Sequence, residues 1–318
     1  MVDYLKFAAI DIGSNAVRLL LAGVFEFGDQ PMFKKMSLTR MPIRLGADAF
    51  SLHRISDDRV NELVSAMVGF RYLIDSYGPI DYKACATSAM RGAENAAQIC
   101  QRIRQACGIQ VDILDGGREA RLIFENQSAM RLGGFTSYLY VDVGGGSTEI
   151  TLFAKQRAVV ARSFDIGTIR LLQNQVSKAD WGQMKTWLKT HVAPHDDIAA
   201  IGSGGNINKI FRLAECKNGR PMSLTKILKV RRLLNGLSFN QRISRLGLRP
   251  DRADVIVPAA DVYLNVMHWA GIEDIFVPVV GLADGVVHIL YNRFKALCVR
   301  PQQSEALCEQ IPLWPNGQ

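Results

Sequence analysis

Two kinds of spacing alternate along the chain. Residues 7–12 (Phe-Ala-Ala-Ile-Asp-Ile) form a short apolar run that reads as a buried strand, and it ends at a Gly13-Ser14-Asn15 turn. Residues 16–25 return as a second strand, so the chain opens on a hairpin whose first strand ends in an Asp. The spacing then changes to that of a helix over 56–77: Val60, Leu63, Val64, Met67 and Val68 recur on one face, Ser56 is placed to cap it, and Asp57 and Asp58 occupy its first turn. A short strand over 82–86 leads through a Thr87-Ser88 turn to a helix reaching about Cys107. A strand over 110–114 and a helix from about 117 to 131 follow, with Gly133-Gly134 ending that helix.

The opening pattern then recurs. Residues 138–143 form an apolar strand carrying Asp142, followed by Gly144-Gly145-Gly146-Ser147-Thr148 and a returning strand from Glu149. Asp11-Ile-Gly13 and Asp142-Val-Gly144 stand at equivalent points, 142 − 11 = 131 residues apart. This predicts two α/β halves, residues 1–125 and 126–318, with the boundary in the segment at about 125–137. A third glycine turn, Gly202-Ser203-Gly204-Gly205, lies between a strand over 198–201 and a helix over 206–213. Helices over 225–246 and 255–270, a strand over 275–280 and a last helix over about 285–297 complete the pattern, the last being able to turn back onto the first half. The 300–318 tail reads as loosely held.

Composition narrows the class. Hydrophobic residues make up 48% and charged residues 21%, a globular balance that argues against disordered and fibrous proteins. No apolar run reaches the roughly 18 residues of a membrane span, because Asp11, Ser14, Asn15 and Arg18 interrupt the longest candidate. The six cysteines (Cys85, Cys100, Cys107, Cys216, Cys298, Cys308) are scattered with no CxxC pair, as expected of reduced thiols in a cytoplasmic protein. The net charge of +8 suits an anionic partner but on its own says no more than a basic surface would.

A single strand–Asp-x-Gly–strand turn is an ordinary hairpin. Two of them, with a third glycine turn before a helix, point to a clamp on phosphate groups, because glycine lets backbone N–H groups approach phosphate oxygens closely. Gly13, Ser14, Asn15 and Arg18 in the first turn, Gly144, Gly145, Gly146, Ser147 and Thr148 in the second, and Gly204 and Gly205 in the third are the candidate phosphate contacts. Asp11, Asp142 and Glu149 supply oxygens of the kind Mg²⁺ takes. Glu119 falls in the first turn of a helix, where the dipole favours its ionised form, and an ionised carboxylate beside phosphate can take a proton from water. Arg91, after the Thr87-Ser88 turn, can fork onto phosphate oxygens. Taken singly, Glu119 is a helix-capping acid and Arg91 a solvated arginine.

These segments together resemble the exopolyphosphatase / guanosine pentaphosphate phosphohydrolase family, a branch of the actin-like, sugar-kinase and Hsp70 superfamily. The resemblance runs from Asp11 to Leu290 through Asp11-Ile-Gly-Ser-Asn15 with Arg18, Arg44-Leu-Gly46, Ala86-Thr-Ser-Ala-Met-Arg91, Glu119-Ala-Arg-Leu-Ile123, Asp142-Val-Gly-Gly-Gly-Ser-Thr-Glu149, Gly167-Thr-Ile-Arg170, Gly202-Ser-Gly-Gly205 and Arg252-Ala-Asp254. It implies a duplicated actin-like, ribonuclease H-like fold with two domains around a cleft. It further implies Glu119 as catalytic base, Glu149 and Asp142 as the acidic pair that positions water and metal, and Asn15, Arg91 and the second glycine turn as phosphate contacts. Mg²⁺ (or Mn²⁺) is the implied cofactor. The implied substrate is polyphosphate, with guanosine pentaphosphate as the alternative, and neither a membrane nor a specific nucleic acid is an expected partner. A homodimer is compatible with this reading. A non-catalytic polyphosphate or nucleotide sensor and a kinase of the same superfamily are weaker readings, the first because a sensor needs no base. The chain departs from the family pattern at Arg118, where a second acid is usual, at Asn206, where Thr is usual, and at Ala283, where Arg is usual.

Overall fold

Residues 5–12 are apolar on both sides of the strand they form, and the reason is visible in the computed structural model, which describes residues 4–27, 30–119, 122, 134–155, 157–192, 195, 197–278 and 281–298. Strand β1 (Leu5–Ile12) lies at the centre of a five-stranded sheet with β2 (Val17–Phe25), β3 (Met32–Met41), β4 (Asp81–Ala86) and β5 (Val111–Ile113), in the order β3-β2-β1-β4-β5. Its Ala8, Ile10 and Ile12 face one core, while Phe7 and Ala9 face another. A strand covered on both faces needs no polar alternation. β1, β2 and β3 form an antiparallel meander, and β4 and β5 join in parallel. Helices α1 (Gly46–Leu52), α2 (Asp57–Tyr77), α3 (Ser88–Arg91) and α4 (Ala96–Cys107) accompany this sheet.

The second sheet repeats that order. β6 (Ser137–Val143), β7 (Thr148–Ala154) and β8 (Arg157–Phe164) form the meander, and β9 (Ile198–Ser203) and β11 (Asp274–Phe276) join in parallel, with β10 (Met222–Ser223) added at the edge. The duplication extends to detail. Asp11 pairs with Arg18 across the first hairpin, as Asp142 pairs with Glu149 across the second. Both turns close with a backbone bond, Gly13 N to Ala16 O at 3.1 Å and Gly144 N to Ser147 O at 2.9 Å. Both meanders also slip register at the same place, at Leu21/Ala22 and at Leu152/Phe153. The expected α/β fold with a duplicated actin-like strand order is thus present.

Helices α5 (Thr168–Leu172), α6 (Lys178–His191), α7 (Gly205–Leu213), α8 (Leu224–Asn235), α9 (Phe239–Leu246), α10 (Pro250–Ala253) and α11 (Ile256–Ala270) belong to the second half. The last helix, α12 (Leu282–Cys298), buries Leu282, Val286, Val287, Leu290 and Tyr291 against Phe7, Ala9, Leu20 and Ala22 of the first sheet, in a core that also takes Tyr140, Phe153 and Phe276 from the second.

Several elements depart from the sequence reading. β3 and β8 are edge strands, mostly exposed, and lack the apolar signature of their neighbours. α1, α5 and α6 lie in stretches that the reading did not assign to helices. The helix expected over 88–107 is broken because the Asn95 side chain bonds the backbone N and O of Ile55 at 3.1 and 2.9 Å. The helix expected over 225–246 is two, since Ser238 starts a new one with a capping box to Gln241. Ser56 precedes α2 but does not cap it with its side chain; its hydroxyl goes to Asp48 instead. Most of the helix expected over 117–131, most of the boundary at 125–137 and the tail lie outside the described residues.

The second glycine turn is clamped by α5. A Cβ on Gly167 would stand 2.4 Å from Gly145 O and the carbonyl carbon of Gly146, so only glycine lets the two segments touch. We expect Gly167→Ala to lower stability by roughly 1–3 kcal/mol, the usual scale of an overpacked site. A denaturation midpoint unchanged from the parent would show that the contact yields.

Candidate functional site

The three glycine turns meet at one cleft of about 330 Å³ between the two sheets. Gly13, Ser14, Asn15, Arg18, Gly144, Gly145, Ser147, Gly204 and Gly205 line it, together with Asp11, Glu119, Asp142 and Glu149. Three of the expected contacts do not line it. Thr148 is fully buried and its hydroxyl donates to Ile166 O at 2.5 Å, while Gly146 is packed on the Phe50 ring, so both are structural. Arg91 stands behind two of the acids.

The turns present donors to the cleft because their carbonyls are taken from behind. Gly144 O accepts from Thr168 N at 3.0 Å and Gly145 O from Ile169 N at 2.8 Å. In a trans peptide the N–H points opposite to the C=O, so the N–H groups of Gly145 and Gly146 face away from α5. The first turn is held in the same way: Ser14 O accepts from Gly46 N at 2.8 Å and Asn15 O from Arg44 N at 3.2 Å. The third turn needs glycine because Gly204 has φ +103°.

Four carboxylates converge here with unequal compensation. Asp11 is paired with Arg18 at 2.5 Å. Glu149 accepts at Oε1 from Ser147 at 2.6 Å and from Ser163 at 2.9 Å. Arg91 bridges the halves, 3.6 Å from Glu119 Oε2 and 3.7 Å from Glu149 Oε1, with Nη1 also donating to Leu114 O at 2.8 Å. Glu119 is 8% exposed, and its Oε2 has no hydrogen-bond partner. Burial first, then the charges of Glu149 and Asp142, push the Glu119 carboxyl well above its usual range, against the pull of Arg91. Burial and the Glu149 charge push Asp142 up to about 7, against the pull of the nearby Ser203 hydroxyl. Burial also raises Glu149, against the Ser147 and Ser163 bonds and Arg91. The helix-start dipole expected to keep Glu119 ionised is therefore outweighed by burial and like charge. Arg118 offers it little help, since its guanidinium is directed to Asp112 at 3.3 Å.

The expected metal set, Asp11, Asp142 and Glu149, shares the cleft but does not form a ready-made cage; among the described residues no three His, Cys, Asp or Glu side chains converge as a metal site. What the cleft offers is an excess of buried negative charge and the unpartnered Glu119 oxygen. That suits a cation taking one or two carboxylates and completing its shell with phosphate oxygens and water, as Mg²⁺ does.

Sequence reasoning missed the cations that line the same cleft: Lys35 and Arg40 on β3, Lys209 and Arg212 on α7, and Arg252 on α10 as more than a motif position. It also missed Ser163 on β8. The signal that finds β3 and β8 is the duplication itself, since a hairpin repeated with its Asp in register predicts a repeated third strand.

A duplicated actin-like scaffold closing glycine turns and carboxylates around one cleft is the frame of an enzyme acting on phosphate groups. Residues 24–294 match the Ppx/GppA phosphatase family, and the chain belongs to it. It is 28% identical over 305 residues to exopolyphosphatase 1 of Mycobacterium tuberculosis, covering 89% of this chain and 87% of that protein. Its fold is similar to that of an exopolyphosphatase from Cytophaga hutchinsonii (TM-score 0.78, 23% identity, 91% of this chain and 98% of the other) and to the Ppx/GppA family member of Aquifex aeolicus (TM-score 0.71, 23% identity, 91% and 99%). Among the described residues no helix is long and apolar enough to cross a membrane.

Carboxyls raised by folding contribute stability at acid pH and lose it as pH rises through their folded-state values. The cluster therefore costs stability at neutral pH. We expect Glu119→Gln to raise the melting temperature of the metal-free protein at pH 7 by about 1–4 °C, with the gain shrinking at pH 5. A melting temperature lowered at pH 7 would contradict the electrostatic reading.

Proposed function

We propose that this enzyme is an exopolyphosphatase that releases terminal orthophosphate from inorganic polyphosphate by attack of water. The observation that carries the reading is the placement of Glu119: buried, with one oxygen unpartnered, beside Arg91, in the same cleft as the inward-facing N–H groups of the glycine turns. The terminal phosphate is held by the N–H groups of Gly145 and Asn15 and by the Ser14 hydroxyl, while the Ser147 hydroxyl stays on Glu149. Water lies between that phosphorus and Glu119. The carboxylate takes the water proton as the new P–O bond forms, the anhydride P–O bond breaks, and the shortened chain leaves with the electron pair on its terminal oxygen. The environment that raises the Glu119 pKa makes it a stronger base than an exposed glutamate. Glu149, fixed by Ser147 and Ser163, orients the water from the opposite half. Asp142 and Glu149 would hold Mg²⁺ or Mn²⁺, which supplies positive charge that lets Glu119 ionise beside further carboxylates and phosphate; Asp11 is committed to Arg18.

Polyphosphate is favoured over guanosine pentaphosphate by the lining. The described residues around the cleft include no aromatic ring for a base to stack on, and the cations Lys35, Arg40, Lys209, Arg212 and Arg252 suit a repeating anion. The exopolyphosphatase names of the Mycobacterium tuberculosis and Cytophaga hutchinsonii proteins support the same choice.

Glu119→Gln is expected to lower kcat by roughly 10²–10⁴-fold with substrate binding kept. Near-parental phosphate release by this variant would remove Glu119 from the base role. The acid limb of kcat/KM in the parent should lie above pH 4.5, the ordinary carboxylate value, because the base must lose its proton. EDTA should abolish phosphate release and Mg²⁺ or Mn²⁺ restore it, while full activity in EDTA would exclude the cation.

A further inference from the structure

The cleft holds a second set of unsatisfied donors, apart from the carboxylate cluster. Arg40, on β3, has a side chain only 10% exposed. One of its nitrogens, Nη2, donates to Asp251, whereas Nε and Nη1 are buried with no partner. Buried guanidinium N–H groups left unpaired are costly, and an anion is the partner they suit. Across the cleft, the Arg252 guanidinium makes no hydrogen bond or ion pair with any described residue. It lies over the third glycine turn, where a Cβ on Gly205 would stand 2.4 Å from its Nη2. Asp251 is the carboxylate set among these cations. Its Oδ2 takes Arg40 and a 3.4 Å contact from Asn15 Nδ2, which also donates to Asp251 O at 3.0 Å.

We propose that Arg40 and Arg252 form an anion subsite for a phosphate group of the substrate other than the one being cleaved, with Asp251 holding Arg40 in place until that phosphate arrives. The ligand's identity rests on the polyphosphate reading; the existence of an anion subsite does not. Electrostatics agree with the geometry. Burial, together with the charges of Arg40, Arg18 and Arg249, lowers the Arg252 pKa to about 10, against the opposing charge of Asp251, so the cations crowd one another and an incoming anion relieves them. The two arginines come from opposite halves of the molecule. A chain phosphate touching both joins β3 to α10 directly, which a lone orthophosphate at the carboxylate end does not do.

The test is titration of tripolyphosphate and, separately, of orthophosphate into EDTA-treated proteins carrying Glu119→Gln, so that turnover is negligible over the titration. Arg40→Ala and Arg252→Ala should each weaken tripolyphosphate about 10–100-fold, the scale of a charged hydrogen-bonded contact, and weaken orthophosphate less. Arg40→Lys should recover part of the loss. Asp251→Asn should tighten tripolyphosphate, because it removes the competing charge without removing a donor. This opposite sign separates an anion subsite from a structural ion pair. If Arg40→Ala and Asp251→Asn weaken binding alike, or if neither changes it, the proposal is overturned. Equal losses for orthophosphate and tripolyphosphate would overturn the assignment to an inner phosphate. Should Arg40→Ala fail to fold, the ranking of Arg40→Lys below and Asp251→Asn above the parent decides the matter. Phosphate release from polyphosphate by the unmodified enzyme is measured alongside. Its absence would refute the functional reading, whereas the binding series judges the subsite alone.

Discussion

The repulsion among Glu119, Asp142 and Glu149 is the constraint around which this molecule is arranged. Three carboxyl groups, two from the second sheet and one from a helix start, are brought into one buried space, with Arg91 as the cation that reaches two of them. Folding alone would not choose such a cluster, since each buried like charge opposes the next. Around it the structure is correspondingly firm. Two serine hydroxyls fix Glu149, the turn carbonyls are locked from behind, and Gly167 lets α5 lie directly against the second turn. Rigid surroundings hold the charges together and keep donors aimed at the space between them, which is where a preorganised site does its work.

Duplication supplies the symmetry, and one substitution within it supplies the asymmetry. In the first hairpin the residue opposite the Asp is Arg18; in the second it is Glu149. The same position therefore carries a compensating charge in one half and an added like charge in the other. The first turn becomes an electrically settled holder and the second a place where negative charge accumulates. Two halves with identical strand order and identical register slips thus divide holding from chemistry.

Much of this was legible in the sequence where one strand, one turn or one helix carried its own signal. β1 and β6 could be read because both their faces are buried, and the three glycine turns because they follow such strands. β3 and β8 could not, since edge strands are exposed and their mixed residues look like loops. The break before Asn95 depended on a side chain bonding Ile55 forty residues away, which no local pattern reveals. The site followed the same rule. Glu119, Asp142, Glu149 and the turn residues lay in recognisable motifs, and they share one neighbourhood. Arg40 and Ser163 lay on the unread strands. Thr148 and Gly146 sat inside a motif yet face the core, because a turn has a back as well as a front.

The position of α12 sets the order in which the molecule can be completed. Phe7, Ala9, Leu20 and Ala22 are covered by a helix that contains Leu290 and Tyr291, made more than 260 residues later. At ribosomal speeds of about 5–20 residues per second, roughly 15–60 s separate the synthesis of Phe7 from that of Tyr291. Throughout that interval one face of the first sheet lacks its native cover. The nascent chain thus offers an apolar surface to whatever stands at the ribosome exit, and α12 acts as the closing piece of a core whose first strands were made long before it.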